Sequence, residues 1–205
     1  VRSESLLVRL AVAVPVLYFG VMLVAASTWP GYSHASRYVS ELGGPEAPRP
    51  AIFNTGIVIM GVVCALSAWG VFGAARRVGG RGAMSAIAAL CIALFGVAMV
   101  MGGLFPMPDE RHGAFGLGFA MVFAPLFLAL AFAGRPGFGG LVALLSASFV
   151  FMVATMAVMM GVGHLVTRAN VGIWQRLNAL AMFPWLGIAG AILALRLGRR
   201  SEPSA

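Results

Sequence analysis

The sequence predicts an all-α protein, a single bundle of six transmembrane helices with both termini on the cytoplasmic side. Three observations carry that expectation. The 205-residue chain is 60% hydrophobic and only 10% charged, where soluble domains carry about 25% charged residues. Six apolar runs each approach or exceed the ~20 residues that cross a hydrocarbon core. The basic residues fall unevenly between those runs, so that one side of the membrane would collect most of them.

The runs can be taken in order. The first, 10–29, ends at Trp29-Pro30-Gly31. It is longer than the roughly 7–15 residues of a signal-peptide core. A retained span is therefore expected, although Ala25-Ala26-Ser27 is small enough for a cleavage site. The second, 51–74, follows Pro48-Arg49-Pro50, with Pro50 suited to a first helical turn. Arg76-Arg77-Val78-Gly79-Gly80-Arg81 separates it from the third, 83–105, which stops at Pro106-Met107-Pro108-Asp109. In the fourth, 114–133, Asp109 is placed to cap the helix and Glu110 suits its positive end. Gly113, Gly116 and Gly118 mark its start as a packing face. Arg135-Pro136-Gly137 precedes the fifth, 141–166, whose Met152, Met156, Met159 and Met160 form a stripe that reads as gap-filling. The sixth, 178–195, carries a small-xxx-small pair at Gly187 and Ala191. Pro15, Pro125 and Pro184 are expected to bend their helices. Trp29 and Trp174 are expected at the membrane interface.

Orientation follows from the arginines, since the chain has no lysine. With the N-terminus inside, the inner set is Arg2, Arg9, Arg76, Arg77, Arg81, Arg135, Arg196, Arg199 and Arg200. The outer set is Arg37, Arg49, Arg111, Arg168 and Arg176. Nine against five favours this orientation. Glu41, Glu46, Asp109 and Glu110 then fall outside. The same dispersal of arginines between apolar runs argues against a nucleic-acid partner. The inner arginines read as headgroup contacts. Cys64 and Cys91 lie within apolar runs and read as buried thiols.

Polar side chains converge on the outer side. The candidate ligand-binding residues are Ser40, Glu41, Asn54, Asp109, His112, His164, Gln175 and Arg176, with Glu41 expected to pair with Arg176 or to accept from a ligand. Ionisable groups near a bundle interior mark functional sites. His34, His112 and His164 also share this side. With Glu41 or Asp109 they would make a chemically reasonable zinc or copper set, but no pair has the short spacing of ligands on one helix. No metal is therefore assigned, and the sequence names no cofactor. It contains no nucleotide-binding loop, no Gly-x-Ser-x-Gly elbow and no His-Glu-x-x-His, and no internal repeat of the kind that marks many transporters.

Several of these residues fall in short motifs: Ser40-Glu41-Leu42-Gly43, Phe53-Asn54-Thr55-Gly56, Phe105-Pro106 with His112, and Gly172-Ile173-Trp174-Gln175-Arg176. In order and spacing they resemble the bacterial membrane family called domain of unknown function 998. The resemblance runs from about Tyr32 to the end of the sixth span. It implies a six-span protein of a bacterial inner membrane and carries over no activity, substrate or cofactor.

Three functions stay open on the sequence. The first is binding or transport of a lipid-like or small amphipathic ligand in an outward-facing polar pocket. The second is an intramembrane hydrolase, with or without a metal, in which Glu41, His112 and His164 activate water. The third is a structural or accessory scaffold. Small-residue faces leave a homo-oligomer open as well.

Overall fold

Backbone amides in a bilayer must find partners within the chain, and an isolated segment meets that demand only as a helix. In a computed structural model, which describes residues 2–201, the chain does so throughout. The side chains of Arg2 and Arg200, counted above among the inner arginines, lie outside the described residues.

Among the described residues seven α-helices follow one another: α1 (Arg2–Ser27), α2 (Pro50–Arg77), α3 (Gly82–Leu104), α4 (Ala120–Phe132), α5 (Gly139–Met159), α6 (Val171–Met182) and α7 (Pro184–Ser201). Three 3-10 segments, Val39–Gly43, Glu110–Phe119 and Val162–His164, lie between them. There is no strand among the described residues. Six stretches are long and apolar enough to cross a membrane: Leu6–Ser27, Pro50–Arg77, Gly82–Leu104, Glu110–Phe132, Gly139–Met159 and Val171–Arg199. The protein is thus an all-helical, multi-pass membrane protein whose surroundings are a lipid bilayer.

The span ends differ from the expected ones where glycine or proline acts. The fifth helix stops at Met159, not near 166, because Gly161 and Gly163 take φ of +101° and +75° and turn the chain out. The fourth is regular only from Ala120. Ahead of it Ala114, Phe115 and Gly116 are left-handed, so a 3-10 segment with a kink replaces its first turns. The sixth begins earlier, at Val171, and breaks between α6 and α7 at Pro184, which has no N–H to continue the ladder. Pro15 and Pro125 remain inside α1 and α4.

Lipid tails are as apolar as the helices, so helix association rests on close packing rather than on exclusion of water. Consecutive helices pack side by side from α1 to α6, and α7 closes back onto α1. The closest approach of α2 and α3 is at Gly61 and Gly96. A Cβ on Gly61 would stand 2.7 Å from the Gly96 carbonyl oxygen, and one on Gly96 2.6 Å from the Ala65 nitrogen. Gly187 packs against Pro15 of α1, so this small residue serves a contact within the chain. Buried hydroxyls bond locally, Ser67 donating to the Cys64 carbonyl at 2.7 Å and Ser85 to that of Arg81 at 2.9 Å.

The connections define two ends. One holds the long loop 30–50 and the segments around 105–119 and 160–170. The other holds the short turns 78–81 and 133–138 and the last turns of α7. They are called here the long-loop end and the arginine-rich end.

Candidate functional site

At the long-loop end the chain is organised by the first turns of α6. Gly172 lies under the loop, where an added Cβ would meet the carbonyl oxygens of His34 and Arg37, each at 2.5 Å, and that of Ala35 at 2.8 Å. Only a residue without a side chain admits that approach. One position later, Ile173 N–H donates to the Ala35 carbonyl at 3.2 Å. Gln175 Oε1 accepts from Val39 N–H at 2.5 Å. Arg176 donates to the Arg37 carbonyl at 3.1 Å, the Gly172 carbonyl at 2.9 Å, the Tyr32 hydroxyl at 2.9 Å and His34 Nδ1 at 3.2 Å. The motif Gly172–Arg176 is therefore a clamp on the loop.

The loop in turn holds itself. Glu41 accepts from Arg37 Nη1 at 2.9 Å and from the backbone N–H of Tyr38 at 2.7 Å, closing the 3-10 turn Val39–Gly43 on its own N-terminus. The expected Glu41–Arg176 pair does not form. Arg37 stands four residues away on the same turn and reaches the carboxylate first, while Arg176 is occupied by carbonyls and a hydroxyl. Arg37 also bonds Glu46 at 3.3 Å and lies 4.6 Å over the Trp29 ring. Trp29, expected as an interface anchor, thus forms part of this half-buried stack.

The other expected residues are placed as follows. Asn54 Nδ2 donates to the Gly43 carbonyl at 3.0 Å, joining the Ser40–Gly43 motif to α2. Ser40 Oγ donates to Met107 Sδ at 3.4 Å. Asp109 caps the 3-10 segment by accepting from Arg111 N–H at 2.8 Å and holds the Arg111 guanidinium at 2.7 Å. Those bonds to Arg111 bring its carboxyl down to about 2. His112 Nδ1 lies 3.0 Å from the Phe105 carbonyl. A carbonyl only accepts, so Nδ1 carries the proton in that contact. His164 is exposed, and its ring makes no hydrogen bond among the described residues. No three His, Cys, Asp or Glu side chains among the described residues come within reach of one metal ion.

Beneath the clamp lies a cavity of about 280 Å³, bounded by α1, α3, the 3-10 segment before α4, α5 and α6. Its walls are Phe95, Met99, Phe119, Met156, Met182 and Phe183, with Gly113, Gly116 and Gly118 on one side. Three hydrogen-bonding side chains line it: Tyr18, Gln175 and Asn178. Their orientations follow from what they hold. Thr155 Oγ1 donates to the Phe151 carbonyl at 2.9 Å and accepts from Asn178 at 2.9 Å, so the bonding atom of Asn178 is its NH₂ and Oδ1 has no partner among the described residues. Val39 N–H can only donate, so Gln175 meets it with Oε1, and its NH₂ has none either. The Tyr18 ring stacks on Phe183 at 3.9 Å between centroids, and its hydroxyl makes no hydrogen bond among the described residues. One unpartnered acceptor, one donor and one hydroxyl therefore belong to three residues that line a common space. No carboxylate, guanidinium or imidazole among the described residues lines it.

Of the expected site residues only Gln175 reaches this cavity. Tyr18 was concealed in an apolar run, its partner surface being a helix some 160 positions away in sequence. Asn178 carried a signal, an amide within the sixth span, which needs a partner in lipid. Ser40, Glu41, Asn54 and Arg176 belong to the loop and its clamp, while Asp109 and His112 fix the segment that forms the cavity's glycine wall.

A search of curated proteins returns no match, and neither does a search of solved structures. The profile of one family, described as Protein of unknown function (DUF998), matches residues 12–192. That range includes all six membrane-crossing stretches in whole or large part, the clamp and the cavity, and by it the chain belongs to this DUF998 family.

Proposed function

We propose that the protein binds a small, uncharged amphipathic molecule in the cavity between α1, α3, α5 and α6, as a ligand or as cargo. The observation that supports this is the lining: Asn178, Gln175 and Tyr18, whose amide oxygen, amide NH₂ and hydroxyl have no partners among the described residues, set among methionine and phenylalanine side chains. Pockets for small molecules have this composition, largely apolar with a few placed polar groups. A phosphate or ammonium entering here would lose its hydration with no opposite charge in the lining, which is costly. A head bearing a hydroxyl, carbonyl or amide suits the three groups. The volume, about 280 Å³, is just below the ~300–1,000 Å³ typical of such sites. The cavity then takes the head and a short apolar stretch, and any longer chain leaves past exposed Phe119 into the bilayer.

In this reading Gln175 touches the ligand. Ser40, Glu41, Asn54, Asp109, His112 and Arg176 shape the rim by holding the loop and the 3-10 segment, and His164 stands apart from it. The arginine-rich end is cytoplasmic and the cavity end faces outward, in a bacterial inner membrane as the family resemblance implies.

Mass spectrometry of small molecules released from purified protein tests the reading. The parent should carry a neutral amphiphile near one per chain. Asn178→Leu, which removes the acceptor and fills space, should lower its amount about tenfold or more, as expected for a site that loses a hydrogen-bonding group. Arg168→Gln, distant from the cavity, should leave it unchanged. A parent that carries no more neutral amphiphile than Asn178→Leu overturns the proposal.

A further inference from the structure

A second hollow, of about 490 Å³, lies at the arginine-rich end. Three parts of the chain form it: the α2–α3 turn at Gly79, the α4–α5 connection at Arg135 and Phe138, and the last turns of α7 at Arg196 and Arg199.

The arginines of this end differ in what they hold. Arg81 donates to the Leu130 carbonyl at 2.7 Å, and Arg76 lies 5.6 Å over the Phe72 ring. Arg81 is thus held by the end of α4, and Arg76 lies over a ring of its own helix. Arg196 is fixed without being satisfied. Its guanidinium carbon stands 4.1 Å from the Phe138 ring centroid and its Nη2 donates to the Gly137 carbonyl, which leaves Nε and Nη1 without partners among the described residues. The side chains of Arg135 and Arg199 make no hydrogen bond or ion pair among the described residues. No carboxylate among the described residues lines the hollow. The acids whose side chains are described, Glu41, Glu46, Asp109 and Glu110, all lie at the opposite end.

Three guanidinium groups thus face one space with no counter-charge among the described residues. Their mutual repulsion becomes attraction once an anion sits between them. The planar guanidinium fork matches phosphate oxygens in a way a lysine ammonium does not. The surroundings favour a phosphate carried by a lipid. The hollow is level with the end of the apolar run of α7, where Leu195 and Leu197 flank Arg196, and buried Phe138 provides an apolar floor. Gly139, Gly140 and Gly198 have open space beside the backbone, and α7 packs mainly on α1 and only lightly on α5. A seam between α5 and α7 therefore leads from the hollow toward the apolar belt. Basic hollows between helices on the cytoplasmic side are where anionic headgroups bind.

We infer that this hollow binds the phosphate of an anionic phospholipid, with Arg135, Arg196 and Arg199 donating to its oxygens and an acyl chain lying along α5. The site is separate from the cavity at the long-loop end and is tested separately.

The test uses full-length protein in neutral detergent, titrated with phosphatidylglycerol, phosphatidylcholine or sodium phosphate and followed by native mass spectrometry. Phosphatidylglycerol should bind at least about tenfold more tightly than phosphatidylcholine, since three arginines near a headgroup act together. Arg135→Gln and Arg199→Gln should each weaken phosphatidylglycerol binding about fivefold, and the double variant more, with phosphatidylcholine binding and helix content unchanged. The single variants carry the result if the double variant fails to fold. Arg168→Gln, an exposed arginine at the other end, should bind as the parent does. Equal binding of the two lipids overturns the proposal, as does unchanged phosphatidylglycerol binding by both single variants. Displacement of phosphatidylglycerol by inorganic phosphate as effectively as by added anionic lipid also overturns it, and reassigns the hollow to a free anion.

Discussion

Arg176 illustrates how far one residue's role depends on partners the sequence does not display. In sequence it is an outer arginine with an acid to pair with; in the structure it gathers Tyr32, His34, Arg37 and its own helix turn. Two predictions belong to this contact. The first concerns pH. His34 accepts from Arg176 through Nδ1, which requires a neutral ring, and desolvation, followed by the nearby Arg176 charge, holds its pKa below the usual 6.5. Folded protein therefore binds fewer protons than unfolded protein just below pH 6.5. The contribution is present in full above that value and declines as pH falls through the folded pKa. Thermal unfolding followed from about pH 7.5 down to about pH 5 should show a loss of stability in the parent that is smaller in His34→Gln, which cannot titrate. The effect is modest because the ring is exposed. An identical slope in both proteins would refute it. The second concerns Gly172. A methyl group there meets three carbonyl oxygens within 2.8 Å, so Gly172→Ala should cost about 1–3 kcal/mol as an overpacked contact. A melting temperature equal to the parent's would show that the loop yields without cost.

Among the elements, the 3-10 segment Glu110–Phe119 departs furthest from what its residues suggest. Its hydropathy reads as the first half of a span, and it does count toward one. Yet Ala114 and Phe115 sit at φ of 46° and 52°, where a side chain is disfavoured. Capping by Asp109, and the His112 contact to the Phe105 carbonyl, anchor the segment at its start, and the glycines that follow let it bend round the cavity instead of filling it. The glycines were visible in the sequence as a packing face; that they make a wall follows from the kink, which no periodicity marks. Phe115 is 83% exposed, so its ring contributes little packing within the chain. Phe115→Gly removes a left-handed cost of ~1–2 kcal/mol and adds a glycine entropy cost of about 0.5–1. It should raise thermal stability in detergent by about 1 kcal/mol or less. A fall in stability would mean that the ring holds the segment in place.

At the scale of the molecule, the spans were legible and the site was not, for the same physical reason. Crossing a bilayer is a local demand on some twenty consecutive residues, so 60% apolar composition and six runs were enough to read it. A cavity is a demand on residues far apart. Tyr18, Met99, Met156 and Asn178 come together only because α7 closes onto α1 and α6 packs on α5. Orientation stands between these cases, since it depends on charge summed over loops. The described acidic side chains lie at the long-loop end, and the inward set of arginines at the other. The positive-inside bias then predicts that the turns 78–81 and 133–138 lie in the cytoplasm. Single cysteines introduced into a variant lacking Cys64 and Cys91 test this directly. A membrane-impermeant maleimide applied to intact cells should label Ser36→Cys and Thr167→Cys, both in long-loop-end connections, and should leave Gly79→Cys and Gly134→Cys unlabelled until the cells are opened. The reverse pattern would place the cavity on the cytoplasmic face, and the anionic-lipid hollow in the outer leaflet. Labelling of all four in intact cells would leave no orientation supported. The outcome therefore bears on both sites at once: one bundle, basic at one end and nearly neutral at the other, sets which leaflet each of them draws on.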